Sequence, residues 1–249
     1  MTTDNPAADG KNDSGQKETV SISVFFPCYN EEGNVARTTE QALAVLKRLN
    51  ADYEVIIVND GSKDGTGRIA DEIARRESKV KVVHHPTNRG YGAALQSGFR
   101  AAAKKLVFYT DGDGQFDMNE MPALLPLIKQ YDIVSCYRIN RQDNLMRRIN
   151  AWCWTKLVCL LFRMKVRDID CAFKLYKREI FDNIKMVSTG ALIDTEVLAR
   201  AIRKGYTITQ KGVHHYPRTA GAQTGANLKV VLRAFRELFR LYDQIRKGN

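Results

Sequence analysis

The chain has 249 residues, of which 44% are hydrophobic and 27% are charged. This composition predicts one globular domain and excludes collagen, low-complexity disorder and a disulfide-stapled miniprotein. Lysine and arginine outnumber aspartate and glutamate by 39 to 28, a formal charge of +11, which favours partners that carry phosphate. The five cysteines are scattered without the paired spacing of a zinc or redox site, so we expect a reducing, cytoplasmic compartment.

The ends of the sequence differ from its middle. Residues 1–19 are polar and lack apolar periodicity, so they are predicted to be a disordered tail. We expect one domain over residues 20–226 and a separate terminal helix over 227–249. The sequence contains neither a secretory signal nor a run of about 18 apolar residues, so a membrane-spanning helix is not expected.

Strand and helix patterns alternate along the first half. β-Branched apolar runs predict strands at 20–26, 53–58, 80–85 and 106–110, and 3.6-residue spacing predicts a helix after the turn at 30–33 and helices at 66–76 and 90–104. This alternation predicts an α/β fold with a mostly parallel sheet, whose ligands gather at the carboxyl ends of the strands. The second half is less regular, with strands predicted at 132–137 and 206–216, a mainly helical stretch at 145–164 and a Gly-rich loop at 219–225.

An acidic segment, TDGDGQFD at 110–117, follows the predicted fourth strand. Asp111 and Asp113, with Gln115 and Asp117, offer the oxygen ligands that Mg²⁺ or Mn²⁺ prefers, and two carboxylates are sufficient when substrate phosphates complete the shell. An acidic turn is the alternative, since Asp-Gly pairs are common in turns.

Two other strands also end in polar segments, FPCYNEEGN at 26–34 and VNDGSKDGT at 58–66. We expect the three strand ends to form one pocket. There the Asp60 carboxylate would accept from a nucleobase N–H, and Asn30 and Glu31 would hold a base or ribose. Asn30 is equally suited to shaping a turn, while Ser62 and Asp64 are expected to cap the next helix.

Taken in order with NRGYGAALQSG at 88–98, DIDCAFK at 168–174 and YPRTAGAQTG at 216–225, these segments resemble the family 2 glycosyltransferases of GT-A fold. The resemblance is to the dolichol- and polyprenyl-phosphate sugar transferases in particular. It implies a three-layer α/β fold and an inverting transfer of a hexose from a GDP- or UDP-sugar to a polyprenyl phosphate. Mg²⁺ or Mn²⁺ is the implied cofactor, and both mannose and glucose are open.

The resemblance also implies roles for individual residues. The nucleotide would be bound by Pro27, Tyr29, Asn30, Glu31, Asp60, Asp111 and Gly112, the metal by Asp111, Asp113 and Gln115, and a phosphate by Arg138. Asp168 matches the aspartate of the family segment DPTSGFR, near the transfer site. Because a lipid phosphate is already anionic, it needs orientation more than a base, so Arg218 and Arg147 or Arg148 are candidate clamps. For Arg147 and Arg148 a solvated helix face is the alternative. Lys174 and its neighbours depart from the family segment, which leaves the acceptor open.

The terminal helix carries an apolar stripe and a basic stripe. Such a helix lies on an anionic membrane surface, or packs on its own domain or on another subunit. A second apolar surface is predicted around Trp152 and Trp154. We therefore expect a lipid-phosphate acceptor and possible peripheral attachment to the cytoplasmic membrane face, with a homo-oligomer or a membrane-anchored partner as further possibilities.

Three alternatives compete with this interpretation. A transferase with a soluble, protein or glycan acceptor would use the same donor site, and a non-enzymatic phosphate-binding protein would share the fold. Nucleic acid is not expected as a partner, because no recognised binding motif is present and the acidic strand ends would repel a phosphate backbone. Each of the pairs His84–His85 and His214–His215 lies on a predicted strand, where neighbours face opposite ways, so neither pair is expected to bind a metal jointly.

Overall fold

The computed structural model describes residues 19–139, 145–218 and 228–247. Within these ranges seven strands form one sheet, in the order β3-β2-β1-β4-β6-β5-β7. The strands are β1 Ser21–Cys28, β2 Asp52–Asn59, β3 Val80–His84, β4 Leu106–Thr110, β5 Ile133–Ile139, β6 Phe173–Lys177 and β7 Ile208–His214. The helices are α1 Val35–Arg48, α2 Thr66–Arg76, α3 Tyr91–Ala101, α4 Leu125–Ile128, α5 Leu145–Phe162, α6 Glu179–Asn183, α7 Ile193–Arg203 and α8 Leu228–Arg246, with a 3₁₀ turn at Met118–Leu124.

The centre of the sheet is fully buried. In β1, Ile22, Val24, Phe25 and Phe26 are inaccessible to solvent, as expected for a parallel strand covered on both faces. Helices α1 and α2 contact each other, and α3 contacts α7, which in turn contacts α8. The result is the predicted α/β fold, and the first four strands and three helices lie where the sequence placed them, to within a few residues at each end.

Strand β6 is the one antiparallel member of this described sheet. It pairs with both β4 and β5, and Thr110 at the end of β4 lies opposite Phe173 at the start of β6. Residues 168–172 therefore enter β6 at the same edge of the sheet where β4 releases the acidic segment. The sequence did not predict this strand, because it is only five residues long and its first two residues, Phe173 and Lys174, belong to the DIDCAFK segment.

Helix α7 was also missed. Its first turn contains Asp194, Thr195 and Glu196, which are all buried, so the apolar periodicity that reveals a helix is interrupted. Buried acids need partners, and Glu196 has them: it accepts from the backbone amides of Val187 and Ser188 and from Arg200. The first turn of α7 is thus held in the protein interior by hydrogen bonds to Glu196, where most buried helices use apolar side chains.

Helix α8 packs against the domain. Leu238, Leu241 and Ile245 are buried, and aromatic pairs join the helix to α5, with ring centroids 5.5 Å apart for Trp154 and Phe235. The packing alternative is therefore correct for this side of the helix. Among the described helices none is both long enough and apolar enough to cross a bilayer. The predicted tail, apart from Thr19, and the loop at 219–225 lie outside the described residues.

Candidate active site

The three polar strand ends meet, as predicted, because β2, β1 and β4 are neighbours in the sheet. The end of β1 touches the start of the acidic segment: the Gly112 amide donates to the carbonyl of Pro27 at 3.3 Å. A Cβ at position 112 would lie 2.6 Å from the Cys28 Sγ, so this approach requires glycine.

The segment after β1 is held by hydrogen bonds to the segment after β2. Asn30 has a φ of 57°, its amide donates to Ser62 Oγ at 3.0 Å, and its Oδ1 accepts from the Lys63 amide at 2.8 Å. The turn-shaping alternative for Asn30 is therefore the one that its contacts support. Asp64 accepts from the Thr66 amide at 3.0 Å, the expected cap at the start of α2, whereas Tyr29 is 38% exposed.

Asp60 is buried and receives three protein donors. Its Oδ1 lies 2.6 Å from His85 Nδ1 and accepts from the Arg89 amide at 2.9 Å, and its Oδ2 accepts from the Gly90 amide at 3.0 Å. His84, which directly precedes His85, is partly exposed, and its Nε2 lies 3.0 Å from the Asp71 carboxylate. The two histidines thus face opposite ways, as the strand pattern predicted.

Asp111 and Asp113 form a partly buried acidic pair. Asp111 accepts a hydrogen bond from the Tyr91 hydroxyl at 3.0 Å. Burial and the charge of Asp113 raise the pKa of Asp111 to about 8, and burial also raises the pKa of Asp113. Two carboxylates in this environment repel each other when ionised, and a divalent cation would relieve that repulsion. The donor set therefore fits Mg²⁺ or Mn²⁺.

A complete metal cage is not built from protein alone. Across the described parts of the chain, no three His, Cys, Asp or Glu side chains converge on one point. Mg²⁺ commonly takes one or two carboxylates and completes its shell with water and substrate phosphate. Gln115, the third predicted ligand, donates from Nε2 to the Tyr216 carbonyl at 2.8 Å, so it also fastens the segment after β7 to the acidic segment.

Arg218 lies against the donor-side carboxylates. Its guanidinium pairs with Glu31 and lies 3.8 Å from Asp113. Glu31 also accepts from Asn34 Nδ2 at 2.7 Å. The sequence assigned Arg218 to a lipid phosphate and Glu31 to the nucleotide, whereas the structure brings the two side chains together beside the predicted metal ligands.

Arg138 and Asp168 form a bidentate ion pair. The two hydrogen bonds measure 2.7 Å from Nε and 2.8 Å from Nη2, and both side chains are largely buried. The sequence assigned these residues separately, one to a phosphate and one to the transfer site. The sequence did not predict the pair, because the strand β6 that brings Asp168 beside Arg138 of β5 was not predicted.

A cleft of about 370 Å³ opens beside this ion pair. Its lining combines cations with apolar groups: Arg138, Arg148 and Arg167 face it together with Ile149 and Trp152. Arg167 also stacks 4.2 Å from the centroid of the Tyr137 ring, and sequence reasoning missed it. Of the two predicted arginines on α5, Arg148 lines this cleft, and the side chain of Arg147 lies outside the described residues.

Lys174, in β6, is fully buried. Its ammonium donates to the carbonyls of Ile169 at 3.2 Å and Cys171 at 2.6 Å, and to Asp194 at 2.7 Å. Tyr109 contacts both Lys174 and Asp194. A buried charge is stable only when it is paired and fully hydrogen-bonded, so this network fixes the backbone of the loop that carries Asp168.

Residues 23–185, more than half of the chain, match the model of a family described as "Glycosyl transferase family 2". The chain belongs to glycosyl transferase family 2. Among curated relatives of this family member, a dodecaprenyl-phosphate galacturonate synthase of Rhizobium johnstonii is 31% identical, over 72% of this chain and 53% of the relative. An undecaprenyl-phosphate 4-deoxy-4-formamido-L-arabinose transferase of Aeromonas hydrophila is 35% identical, over 65% and 50%.

The chain spans about half the length of these two relatives. Their names confirm the resemblance to polyprenyl-phosphate sugar transferases. Solved structures show the fold: mannosyl-3-phosphoglycerate synthase of Rubrobacter xylanophilus has a TM-score of 0.69 at 16% identity, over 92% of this chain and 75% of that one. A mannosyltransferase of Pyrobaculum calidifontis in complex with GDP-Man and Mn²⁺ has a TM-score of 0.64 at 18% identity, over 90% and 65%. The predicted GT-A fold is confirmed.

Proposed function

We propose that this family 2 member is an inverting glycosyltransferase that moves a sugar from a nucleoside diphosphate sugar to a polyprenyl phosphate and releases the nucleoside diphosphate. One observation carries the proposal: the antiparallel strand β6 brings the Arg138–Asp168 pair to the edge of the sheet where Asp111 and Asp113 lie. A site for a diphosphate and a site for a second phosphate thus share one edge.

The donor half supplies the nucleotide site. Asp60 would bind the base, and Pro27, Tyr29, Glu31 and Gly112 would line the path from the base to the diphosphate. Asn30 would contribute through the turn that it shapes. Asp111 and Asp113, with Gln115, would hold Mg²⁺ or Mn²⁺, which when bound neutralises the departing diphosphate as a Lewis acid. Arg218, 3.8 Å from Asp113, adds a second cation to this leaving group.

The acceptor half supplies orientation. A lipid phosphate is anionic at neutral pH and attacks without a general base, so the site needs cations and an apolar wall. Arg138, Arg148 and Arg167 provide the cations, and Trp152 with Ile149 provides the wall. Asp168 holds the Arg138 guanidinium by two hydrogen bonds, which leaves the remaining N–H groups of Arg138 to the phosphate.

The lipid acceptor also requires access from a membrane surface. On α5, Met146, Trp152 and Leu160 are exposed, and on α8 so are Phe235 and Phe239, next to the basic residues Arg236 and Arg240. Apolar groups rimmed by cations suit the boundary of an anionic bilayer. Peripheral binding through α5 and α8 predicts co-sedimentation with anionic vesicles that falls as salt rises.

The decisive experiment is a transfer assay with purified protein, Mn²⁺ and a panel of nucleotide sugars including mannose, glucose and galacturonate donors. The acceptors are a short polyprenyl phosphate and 3-phosphoglycerate, because fold neighbours named for phosphoglycerate represent the soluble alternative. We expect a sugar-phospholipid of inverted anomeric configuration. Transfer to phosphoglycerate alone would contradict the lipid acceptor, and transfer to neither acceptor would contradict the activity.

A further inference from the structure

The two aspartates of the acidic pair are oriented in different ways. Asp113 accepts from the Gln115 amide at 3.1 Å, so a neighbour within the acidic segment sets its orientation. Asp111 accepts at Oδ1 from the hydroxyl of Tyr91, at 3.0 Å and from another element. Within the described ranges, no side chain or amide of the protein donates to Asp111 Oδ2. This oxygen therefore remains available to a cation.

Tyr91 is the first residue of α3, and it is partly buried. The backbone on both sides of it is held by hydrogen bonds. Before it, the Gly90 amide donates to Asp60 Oδ2 at 3.0 Å. After it, the Ala93 amide donates to the Thr189 carbonyl at 3.3 Å. The start of α3 is thus tied both to the end of β2 and to the segment that precedes α7.

Glycines on both sides of Tyr91 allow this close packing. A Cβ at Gly90 would lie 2.6 Å from the Thr189 carbonyl oxygen, and one at Gly92 would lie 2.5 Å from the Ser188 carbonyl oxygen. Only glycine fits at such distances from a backbone atom. The phenol ring therefore extends from a fixed backbone, and its hydroxyl is fixed before any ligand binds.

A further hydrogen bond to a metal-binding side chain orients that side chain toward the metal. Resting on the proposed function, we propose that Tyr91 is a positioning residue for the divalent cation. Its hydroxyl holds Oδ1 of Asp111, and Oδ2 is thereby presented to Mg²⁺ or Mn²⁺. Tyr91 acts through Asp111, and its effect on transfer follows from the affinity of the site for the metal.

The first test measures metal binding without catalysis. Tyr91→Phe removes the hydroxyl and keeps the ring, so the fold should survive. The intact chain is titrated with Mn²⁺ alone and again with GDP or UDP present, and free Mn²⁺ is followed by its electron paramagnetic resonance signal. We expect the dissociation constant of Mn²⁺ to rise about tenfold, as when the hydrogen-bond partner of a metal-binding side chain is removed.

Tyr206→Phe is the matched control. It removes a tyrosine hydroxyl that is hydrogen-bonded to Asn183 Nδ2 at 2.9 Å, next to β7 and away from the acidic segment, so it should bind Mn²⁺ as the wild type does. Unchanged Mn²⁺ affinity in Tyr91→Phe would overturn the positioning role and leave the transferase proposal intact. If the wild type bound no Mn²⁺ under either condition, both the positioning role and the metal assignment of the proposed function would be overturned.

The second test separates positioning from a purely structural role. In the transfer assay, the Mn²⁺ concentration that gives half the maximal rate should rise about tenfold in Tyr91→Phe. At saturating Mn²⁺, kcat should stay within about twofold of the wild type, because the loss is one of metal binding. A purely structural role would lower the melting temperature of the metal-free protein and leave the Mn²⁺ dependence unchanged. That result would overturn the proposal.

Discussion

Two regions of this family 2 member are built differently. One is the edge of the sheet with Asp60, Glu31 and Asp111, which is proposed to bind the nucleotide sugar and is called the donor edge. The other is the cleft beside Arg138 and Asp168, which is proposed to bind the acceptor and is called the acceptor cleft. At the donor edge, Asp60, Glu31 and Asp111 each receive hydrogen bonds from other parts of the chain. In the acceptor cleft, the polar groups centre on one ion pair, and two of the lining side chains, Ile149 and Trp152, are 46% and 61% exposed.

This difference follows from the ligands that the two regions are proposed to bind. A nucleotide diphosphate is recognised by directed hydrogen bonds and charge, which act only at fixed distances. A prenyl chain is recognised by apolar area, which is not directional. The donor edge is therefore rigid and polar, while the cleft combines a rigid phosphate site with an exposed apolar wall.

The largest expected effect lies at the donor edge. Asp113→Ala should reduce transfer by about a thousandfold or more, because stabilisation of the leaving group by a metal is worth several kcal/mol. The initial rate with saturating acceptor is the measurement. Asp117→Asn is the matched control: Asp117 lies in the same acidic segment but caps the turn at Met118–Leu124 through the Asn119 amide, and Asn caps equally well.

Retained Mn²⁺-stimulated turnover in Asp113→Ala would contradict the metal assignment. Circular dichroism and thermal melting should show an intact fold, since the substitution removes a partly buried carboxyl group and leaves no large cavity. If Asp117→Asn also lost activity, transfer would depend on the acidic segment as a whole. That result would contradict the specific role of Asp113 as a metal ligand.

The next effect lies at the phosphate end of the cleft. Arg138→Lys keeps the charge and loses the bidentate contact with Asp168, so transfer should fall by about 10- to 100-fold, the value of one charge-assisted hydrogen bond. Its KM for the lipid acceptor should rise more than its KM for the donor. Arg178→Lys is the control, because Arg178 forms a similar bidentate pair with Asp182 on exposed α6. A change confined to the KM for the nucleotide sugar would contradict the assignment of Arg138 to the acceptor phosphate.

A smaller effect is expected at the apolar wall. Trp152→Ser should raise the KM for a long-chain polyprenyl phosphate about tenfold and leave a short, water-soluble acceptor phosphate unaffected, because only the long chain buries apolar area. The control is Val187→Ser, because Val187 is a 40% exposed apolar residue that lies outside the lining of the cleft and on neither α5 nor α8. Equal losses with both acceptors would show that Trp152 supports the phosphate site instead of the chain.

The smallest effect on activity is expected at Asp132, at the opposite edge of the sheet. Burial alone would raise the pKa of the Asp132 carboxyl, but hydrogen bonds from Lys177 and Thr207 outweigh burial and lower this pKa below its usual 3.8. A carboxyl whose pKa is lower in the folded state than in the unfolded state stabilises the fold at pH values above its unfolded-state pKa. This stabilisation is lost as the pH falls through the folded-state pKa. Asp132→Asn should cost about 1 kcal/mol of unfolding free energy at pH 7, with transfer unchanged.

Urea unfolding at several pH values measures this difference between Asp132→Asn and the wild type. The gap should close as the pH falls below 3.8, where the wild-type carboxyl takes up its proton in both states. A gap independent of pH would show that the contacts of Asp132 do not depend on its charge. A loss of transfer would show that the two edges of the sheet are coupled.

The sequence predicted the donor edge better than the acceptor cleft. The strand ends with Asp60 and Asp111 follow apolar runs, and in a parallel sheet such ends must meet, so local pattern was sufficient. The Arg138–Asp168 pair depends on an antiparallel strand inserted between β4 and β5, which leaves no local signal. The contacts of Asp60 with the backbone of Arg89 and Gly90 could likewise not be predicted. Every residue except proline has a backbone amide, so the sequence does not show which amides donate to a given carboxylate.

Lys174 has a practical consequence for engineering acceptor preference. The family segment commonly has arginine at this position. Grafting a foreign segment over residues 168–174 would therefore bring a larger cation into the fully enclosed space that Lys174 occupies. Because the ammonium is bound by Asp194 and Tyr109 as well as by the loop itself, residues 168–172 are not an exchangeable cassette. A chimera with a foreign acceptor loop would need to import the lysine position, Asp194 and Tyr109 as one unit.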